Sequence, residues 1–173
     1  MTRSFLPAAL AAAALLSFPP AARAQEGLAV GTRAPVVSLP TVAGDTLDLA
    51  DYVGKKPVLI EFWATWCPLC KELEPAMRAA HEQFGKDVAF IHITVPQNQT
   101  PERARRYAEE HKPGVVAFDA NSAAIGAFRV PHTSYVVVID RTGTIVYTGV
   151  GGKQDIAAAL AKVPPAGGME QMD

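Results

Sequence analysis

The run Pro57-Val58-Leu59-Ile60-Glu61-Phe62-Trp63 leads almost directly into Trp66-Cys67-Pro68-Leu69-Cys70, and then into Lys71-Glu72-Leu73-Glu74. The first segment has the length and apolar density of a buried strand, whereas the last reads as the start of a helix. The chain's only two cysteines therefore fall where a strand turns into a helix. A starting helix presents unpaired N–H groups and a positive dipole end, which favour thiolate over thiol. A thiolate is a nucleophile. A bridge closing so short a loop hardly restricts the unfolded chain, so a purely structural disulfide gains little here. A zinc site needs four ligands, more than two cysteines supply. The pair reads as redox-active.

Around this junction the periodicity alternates between strands and helices, an α/β pattern. A short strand is expected at Pro35–Leu39, then a hairpin over Thr41–Leu49 turning at Ala43-Gly44-Asp45. Strand Val58–Trp63 precedes a helix from Pro68 to Phe84, which Pro75 should kink. A strand over Asp87–Val95 follows. Thr100-Pro101-Glu102 supplies an N-cap and a first-turn proline for a helix ending near His111. A strand at Val115–Phe118 and a short helix at Ser122–Phe128 come next. Tyr135–Ile139 and Thr144–Thr148 pair around Asp140-Arg141-Thr142-Gly143, and a last helix covers Lys153–Lys162. No internal repeat appears.

The first 24 residues are set apart from this pattern. Arg3 precedes an apolar run from Phe5 to Phe18, and Ala22-Arg23-Ala24 has the small-x-small form of a signal peptidase site. The run is short for a bilayer span, so a cleaved export signal is expected, with an uncleaved membrane anchor as the lesser alternative. No cysteine follows it, which excludes a lipoprotein anchor. Cleavage would leave one domain over residues 25–163 and a Pro- and Gly-rich tail, 164–173, expected to be disordered. Losing Arg3 and Arg23 removes two positive charges from a net charge of −1, so the mature chain carries −3 and no basic excess. Nucleic acid is not an expected partner.

Several strings together resemble the TlpA-like thiol–disulfide oxidoreductases, a group of the thioredoxin fold within the redoxins. They are Ala34-Pro35-Val36-Val37-Ser38-Leu39-Pro40, Gly54-Lys55-Lys56-Pro57-Val58-Leu59, Phe62–Cys70 and Val138-Ile139-Asp140-Arg141-Thr142-Gly143. The resemblance covers about Gly31 to Val163. It implies a central mixed sheet flanked by helices, with an N-terminal β-hairpin extension. It also implies exchange with protein thiols and disulfides in the periplasm, without a cofactor. The reducing direction is implied, toward apocytochrome c or a copper-site protein, with a membrane protein as electron donor.

Within that frame Cys67 is the attacking thiol and Cys70 the resolving one. Glu61 interrupts an apolar strand, where a carboxylate must be paired or become neutral. Its spacing from Cys67 matches thioredoxin's buried acid, and that similarity implies a proton acceptor for Cys70. Trp66, Pro68 and Leu69 flank the thiols on the substrate side. Trp63 reads as core. His81, His92 and His111 belong to no motif.

One departure stands out. The family places a cis-proline nine residues before the turn glycine, and counting back from Gly143 lands on Ser134. Either Pro131 is displaced into the site or Thr133 and Ser134 occupy it. A polar residue there opens an alternative function. In Sco-like copper proteins of this fold a histidine followed by Ser or Thr lies nearby, as in His132-Thr133. Cys67, Cys70 and His132 would then be donors for Cu(I).

Overall fold

A computed structural model describes residues 27–163; the expected signal segment, 1–24, and tail, 164–173, lie outside the described residues. β1 (Ser38–Pro40) and β2 (Thr46–Asp48) pair antiparallel as one N-terminal hairpin, so the strand expected at Pro35–Leu39 supplies its first arm instead of a hairpin contained in Thr41–Leu49, and one 3₁₀ turn at Leu49–Asp51 follows. Then come β3 (Val58–Trp63), α1 (Pro68–Phe84), β4 (Ala89–Thr94), α2 (Pro101–His111) and β5 (Val115–Phe118). α3 (Ala123–Ala127), β6 (Tyr135–Ile139), β7 (Ile145–Val150) and α4 (Ile156–Leu160) complete the order.

Five strands form one sheet in the order β5-β4-β3-β6-β7. β4 lies parallel to β3 and to β5, whereas β6 is antiparallel to both β3 and β7. The sheet is thus mixed, with β3 at its centre. β3 is buried along its whole length, which is why its sequence is an apolar run rather than an alternation.

The two faces of β3 pack against different layers. Val58, Ile60 and Phe62 join Ile91, Ile93, Val137 and Phe128 on one side. Leu59 joins Leu73 and Met77 of α1 and Ile156 and Leu160 of α4 on the other. Each such side chain contributes about 1.5–3 kcal/mol through burial. The N-terminal hairpin shields the sheet edge: Val42 N–H donates to Val116 O at 2.9 Å, beside a bridge between Thr41 and Ala117. An open β5 edge would otherwise invite pairing with another chain.

Helix α1 has the expected ends, whereas the last helix does not. α1 runs through Pro75 without a break. The carbonyl that Pro75 leaves unpaired is that of Lys71, an exposed residue that water can serve. The last helix begins at Ile156 rather than near Lys153, because Asp155 is its N-cap and accepts from Ala158 N–H at 2.9 Å. The β6–β7 turn is fixed by Asp140, whose Oδ1 accepts from Thr142 N–H, Thr142 Oγ1 and Thr144 N–H at 2.7–2.9 Å. Gly143 takes φ +86° there, a conformation that suits glycine.

Candidate active site

Cys67 is the N-cap of α1, with Pro68 at the first helical position. The two cysteines form a disulfide, and Cys67 Sγ accepts from Cys70 N–H at 3.1 Å. A sulfur at an N-cap takes the place usually held by a Ser or Asp oxygen. The helix behind it is 17 residues long, enough for a full dipole at that end. Both cysteines are almost wholly buried, in one cluster with Trp63, Ala64, Ala108 and Val116.

The outward side of the pair is apolar and open. Trp66 is 41% exposed and Leu69 44%, with Pro68 exposed between the sulfurs. Trp66 Nε1 donates to Gln97 O at 2.7 Å, which fixes the indole at one rim. Gln99 braces the same loop: its Oε1 accepts from Thr65 N–H at 3.0 Å, and its amide nitrogen meets Thr94 Oγ1 and Val95 O.

Ser134, not Pro131, directly precedes β6, and its N–H donates to Phe62 O at 2.8 Å beside the end of β3. No cis peptide bond occurs among the described residues. Ser134 instead holds φ +64°, in the left-handed region. Its Oγ donates to Gly151 O at 2.9 Å, and its carbonyl accepts from Gly151 N–H at 3.1 Å and Gln154 Nε2 at 3.0 Å. These bonds compensate a backbone that costs of order 1–3 kcal/mol. Thr133 is half-buried, and among the described residues no hydrogen bond engages its N–H or C=O.

A buried charged floor lies in the sheet, two residues before Trp63 of the cysteine cluster. Glu61, fully buried, is paired across the sheet with His92 and accepts from His92 Nδ1 at 2.7 Å. Lys112, also buried, donates to both Glu61 oxygens at 3.0 and 3.1 Å, with its ammonium 5.1 Å from the centre of the Trp63 ring. Burial alone would push the Glu61 carboxyl up. The His92 hydrogen bond, the Lys112 charge and the His92 charge outweigh it and hold the group below its ordinary range. Of the two options open to a buried carboxylate, pairing is the one realised.

Hydrogen-bond chemistry fixes one proton of His92. His92 Nε2 faces Pro113 O at 2.9 Å, and a carbonyl only accepts, so Nε2 is a donor. Nδ1 faces the Glu61 carboxyl, so the ring bridges that group and the Pro113 carbonyl.

Residues 29–163 match the Redoxin family. The chain belongs to it. This Redoxin chain is 29% identical over 140 residues to thioredoxin-like protein YneN of Bacillus subtilis, covering 78% of this chain and 80% of that one. It is 27% identical over 143 residues to thiol-disulfide oxidoreductase ResA of Geobacillus kaustophilus, covering 80% of each. A crystal structure of a thiol:disulfide interchange protein of the thioredoxin family from Chlorobium tepidum superimposes with a TM-score of 0.64 at 26% identity, covering 76% of this chain and 93% of that one. Family, thioredoxin-like fold and cysteine pair agree with the TlpA-like resemblance. They make this Redoxin member a thiol–disulfide oxidoreductase.

The structure brings Cys67, Cys70 and Trp63 into one cluster, and leaves His132 exposed on its loop. Among the described residues no three His, Cys, Asp or Glu side chains are grouped so as to hold a metal ion. His92 is the largest omission of sequence reading. A histidine inside Ala89-Phe90-Ile91-His92-Ile93 carried the same signal as Glu61 inside its strand, a polar group that needs a partner. Lys112 carried none. It follows a solvated helix and precedes Pro113-Gly114, and only the fold turns it inward.

Proposed function

We propose that this chain is an exported reductase of protein disulfides in which Cys67 attacks and Cys70 resolves. The observation that supports it most is the Cys67 sulfur, buried at the head of α1 and accepting Cys70 N–H at 3.1 Å. The same N–H would stabilise a Cys67 thiolate once the disulfide is reduced. That thiolate attacks one sulfur of a substrate disulfide, forming a Cys67–substrate bond and releasing the other substrate sulfur as a thiolate. Cys70 then loses its proton and attacks Cys67 Sγ. The Cys67–Cys70 bond forms, the mixed disulfide breaks, and the second substrate sulfur leaves and is protonated. Two electrons pass from protein to substrate.

Glu61 is the proton acceptor for Cys70 in this scheme, since it is ionised and lies two residues before Trp63 of the cysteine cluster. Trp66, Pro68, Leu69, Thr133 and Ser134 face the substrate. The N–H and C=O of Thr133, without a hydrogen bond among the described residues, suit an extended substrate segment pairing edge to edge. The Phe5–Phe18 run and Ala22-Arg23-Ala24 support export to the periplasm, and among the described residues no helix is long and apolar enough to cross a membrane. Reducing turnover there requires an electron donor reached through the membrane. The resemblance favours apocytochrome c or a copper-site protein as substrate.

Trapping tests the two thiol roles. With a disulfide-bonded protein substrate, Cys70→Ser is expected to accumulate a mixed disulfide, and Cys67→Ser to form none. Full turnover by Cys70→Ser would refute the two-thiol scheme. The reduction potential of the pair tests direction: a value near or below that of thioredoxin, about −270 mV, fits a reductase, and one near −120 mV fits an oxidant.

A further inference from the structure

The buried floor does not end at Lys112. Lys112 Nζ also lies 3.8 Å from Glu74 Oε1 on α1, so one ammonium sits between two carboxylates. Glu74 is 11% exposed, and Tyr107 donates to its Oε1 at 2.6 Å. Its other oxygen lies 3.3 Å from His111 Nδ1. His111 is 35% exposed, with Nε2 turned toward Glu110, an exposed residue, at 3.7 Å. A file of titratable groups, hydrogen-bonded from Glu61 to Lys112 and at ion-pair distances from there through Glu74 to His111, leads from a fully buried carboxylate to the surface.

We propose that Lys112, Glu74 and His111 form a proton exit from Glu61 to solvent. The proposal rests on Glu61 as the acceptor for Cys70. Glu61 is fully buried, and its two neighbours, His92 and Lys112, already hydrogen-bond to it. A proton taken from Cys70 would add positive charge to a buried site, which is unfavourable unless that proton moves on. His92 leads nowhere, because its far nitrogen is capped by the Pro113 carbonyl. Lys112 leads outward. It gives one proton to Glu74 and takes one from Glu61, so its own charge is restored. Glu74 passes the proton to His111 Nδ1, and His111 releases one from Nε2 to water. No group gains or loses a net proton over a cycle.

The other groups around this file hold it in place. Tyr107 stacks on the His111 ring with centroids 4.2 Å apart and meets Trp63 at 5.5 Å. Burial first, and then its bond to Glu74, push the Tyr107 hydroxyl well up, so it stays a donor that orients Glu74. Val136, opposite Glu61 on β6, adds no charge. Lys112, Glu74 and His111 act through Glu61 and touch no substrate; they are positioning residues for its proton.

The test follows single-turnover oxidation of the reduced protein by insulin disulfides, across pH and in light and heavy water. Glu74→Gln and His111→Ala are expected to slow the Cys70 step on the order of tenfold, below the full range of general-base effects. Both should enlarge the heavy-water effect, and added imidazole should restore His111→Ala. Lys112→Arg keeps the charge but holds its protons, so it should slow the same step. If that variant fails to fold, the other two decide. Slowing with an unchanged heavy-water effect and no imidazole rescue would show a structural role and overturn the path. Should Glu61→Gln be slow while Glu74→Gln and His111→Ala match wild type, the path is wrong and the acceptor stands. A Glu61→Gln variant matching wild type removes the acceptor itself.

Discussion

On the inner side of the site, Glu61, His92 and Lys112 are buried, with His92 and Lys112 both hydrogen-bonded to Glu61. On the outer side, Trp66 and Leu69 stand exposed, and Thr133, next to Ser134, carries no hydrogen bond on its N–H or C=O among the described residues. Both regions adjoin the cysteine cluster, the inner one where Lys112 meets Trp63 and the outer one where Trp66 and Leu69 flank the cysteines in the chain. The inner one is a closed set of mutually satisfied groups, so changing any member leaves another stranded in low dielectric. The outer one is open, and its groups await a partner. Stability and proton handling should respond to the floor, and substrate affinity to the face.

Lys112→Met breaks the floor most severely. It leaves two carboxylates, Glu61 and Glu74, without the ammonium between them. Removing one partner of a buried ion pair costs about 3–5 kcal/mol, and urea denaturation should show a loss of that order. A loss under ~1 kcal/mol, the scale of an exposed ion pair, would mean that the floor is wetter and less coupled than its burial indicates.

A smaller effect follows from pH. The folded Glu61 carboxyl lies below its ordinary value of 4.5. A depressed carboxyl stabilises the fold fully above the unfolded value, and that stabilisation is lost as pH falls through the folded one. Unfolding free energy should therefore decline as pH drops below about 4.5. Glu61→Gln should be less stable than wild type at neutral pH, with a shallower decline on the acid side. Parallel pH profiles for the two would remove Glu61 as a source of acid sensitivity.

The same division explains what could be read from the chain. β3, α1, β4, α2 and the β6–β7 hairpin were legible because an apolar run, a Thr100-Pro101 cap or an Asp140–Gly143 turn encodes its own geometry locally. Cys67 and Cys70 were legible because two residues of one type at one spacing suffice. Glu61 was legible as a polar residue that needed a partner, but its partners come from β4 and from the end of α2. Such pairing depends on sheet order and on how a helix end is set against the sheet, and no short pattern in the chain carries either. Ser134 is intermediate. Counting from Gly143 located it, whereas its left-handed backbone and its bonds to Gly151 and Gln154 depend on β7 closing beside it.

The outer face supplies the mildest test and the clearest contrast. Trp66→Ala removes a half-exposed ring and one hydrogen bond to Gln97 O. A lost bond of that kind costs about 1 kcal/mol, and the ring buries little that the fold depends on, so denaturation midpoints should move only slightly. Substrate contact is different, because aromatic side chains carry much of the energy at protein interfaces. The Michaelis constant for a protein disulfide should rise severalfold, while the reduction potential, fixed by α1 and the floor, stays at the wild-type value. A shifted potential in Trp66→Ala would show that the indole shields the sulfurs electrostatically, and the separation between floor and face would then fail at this residue.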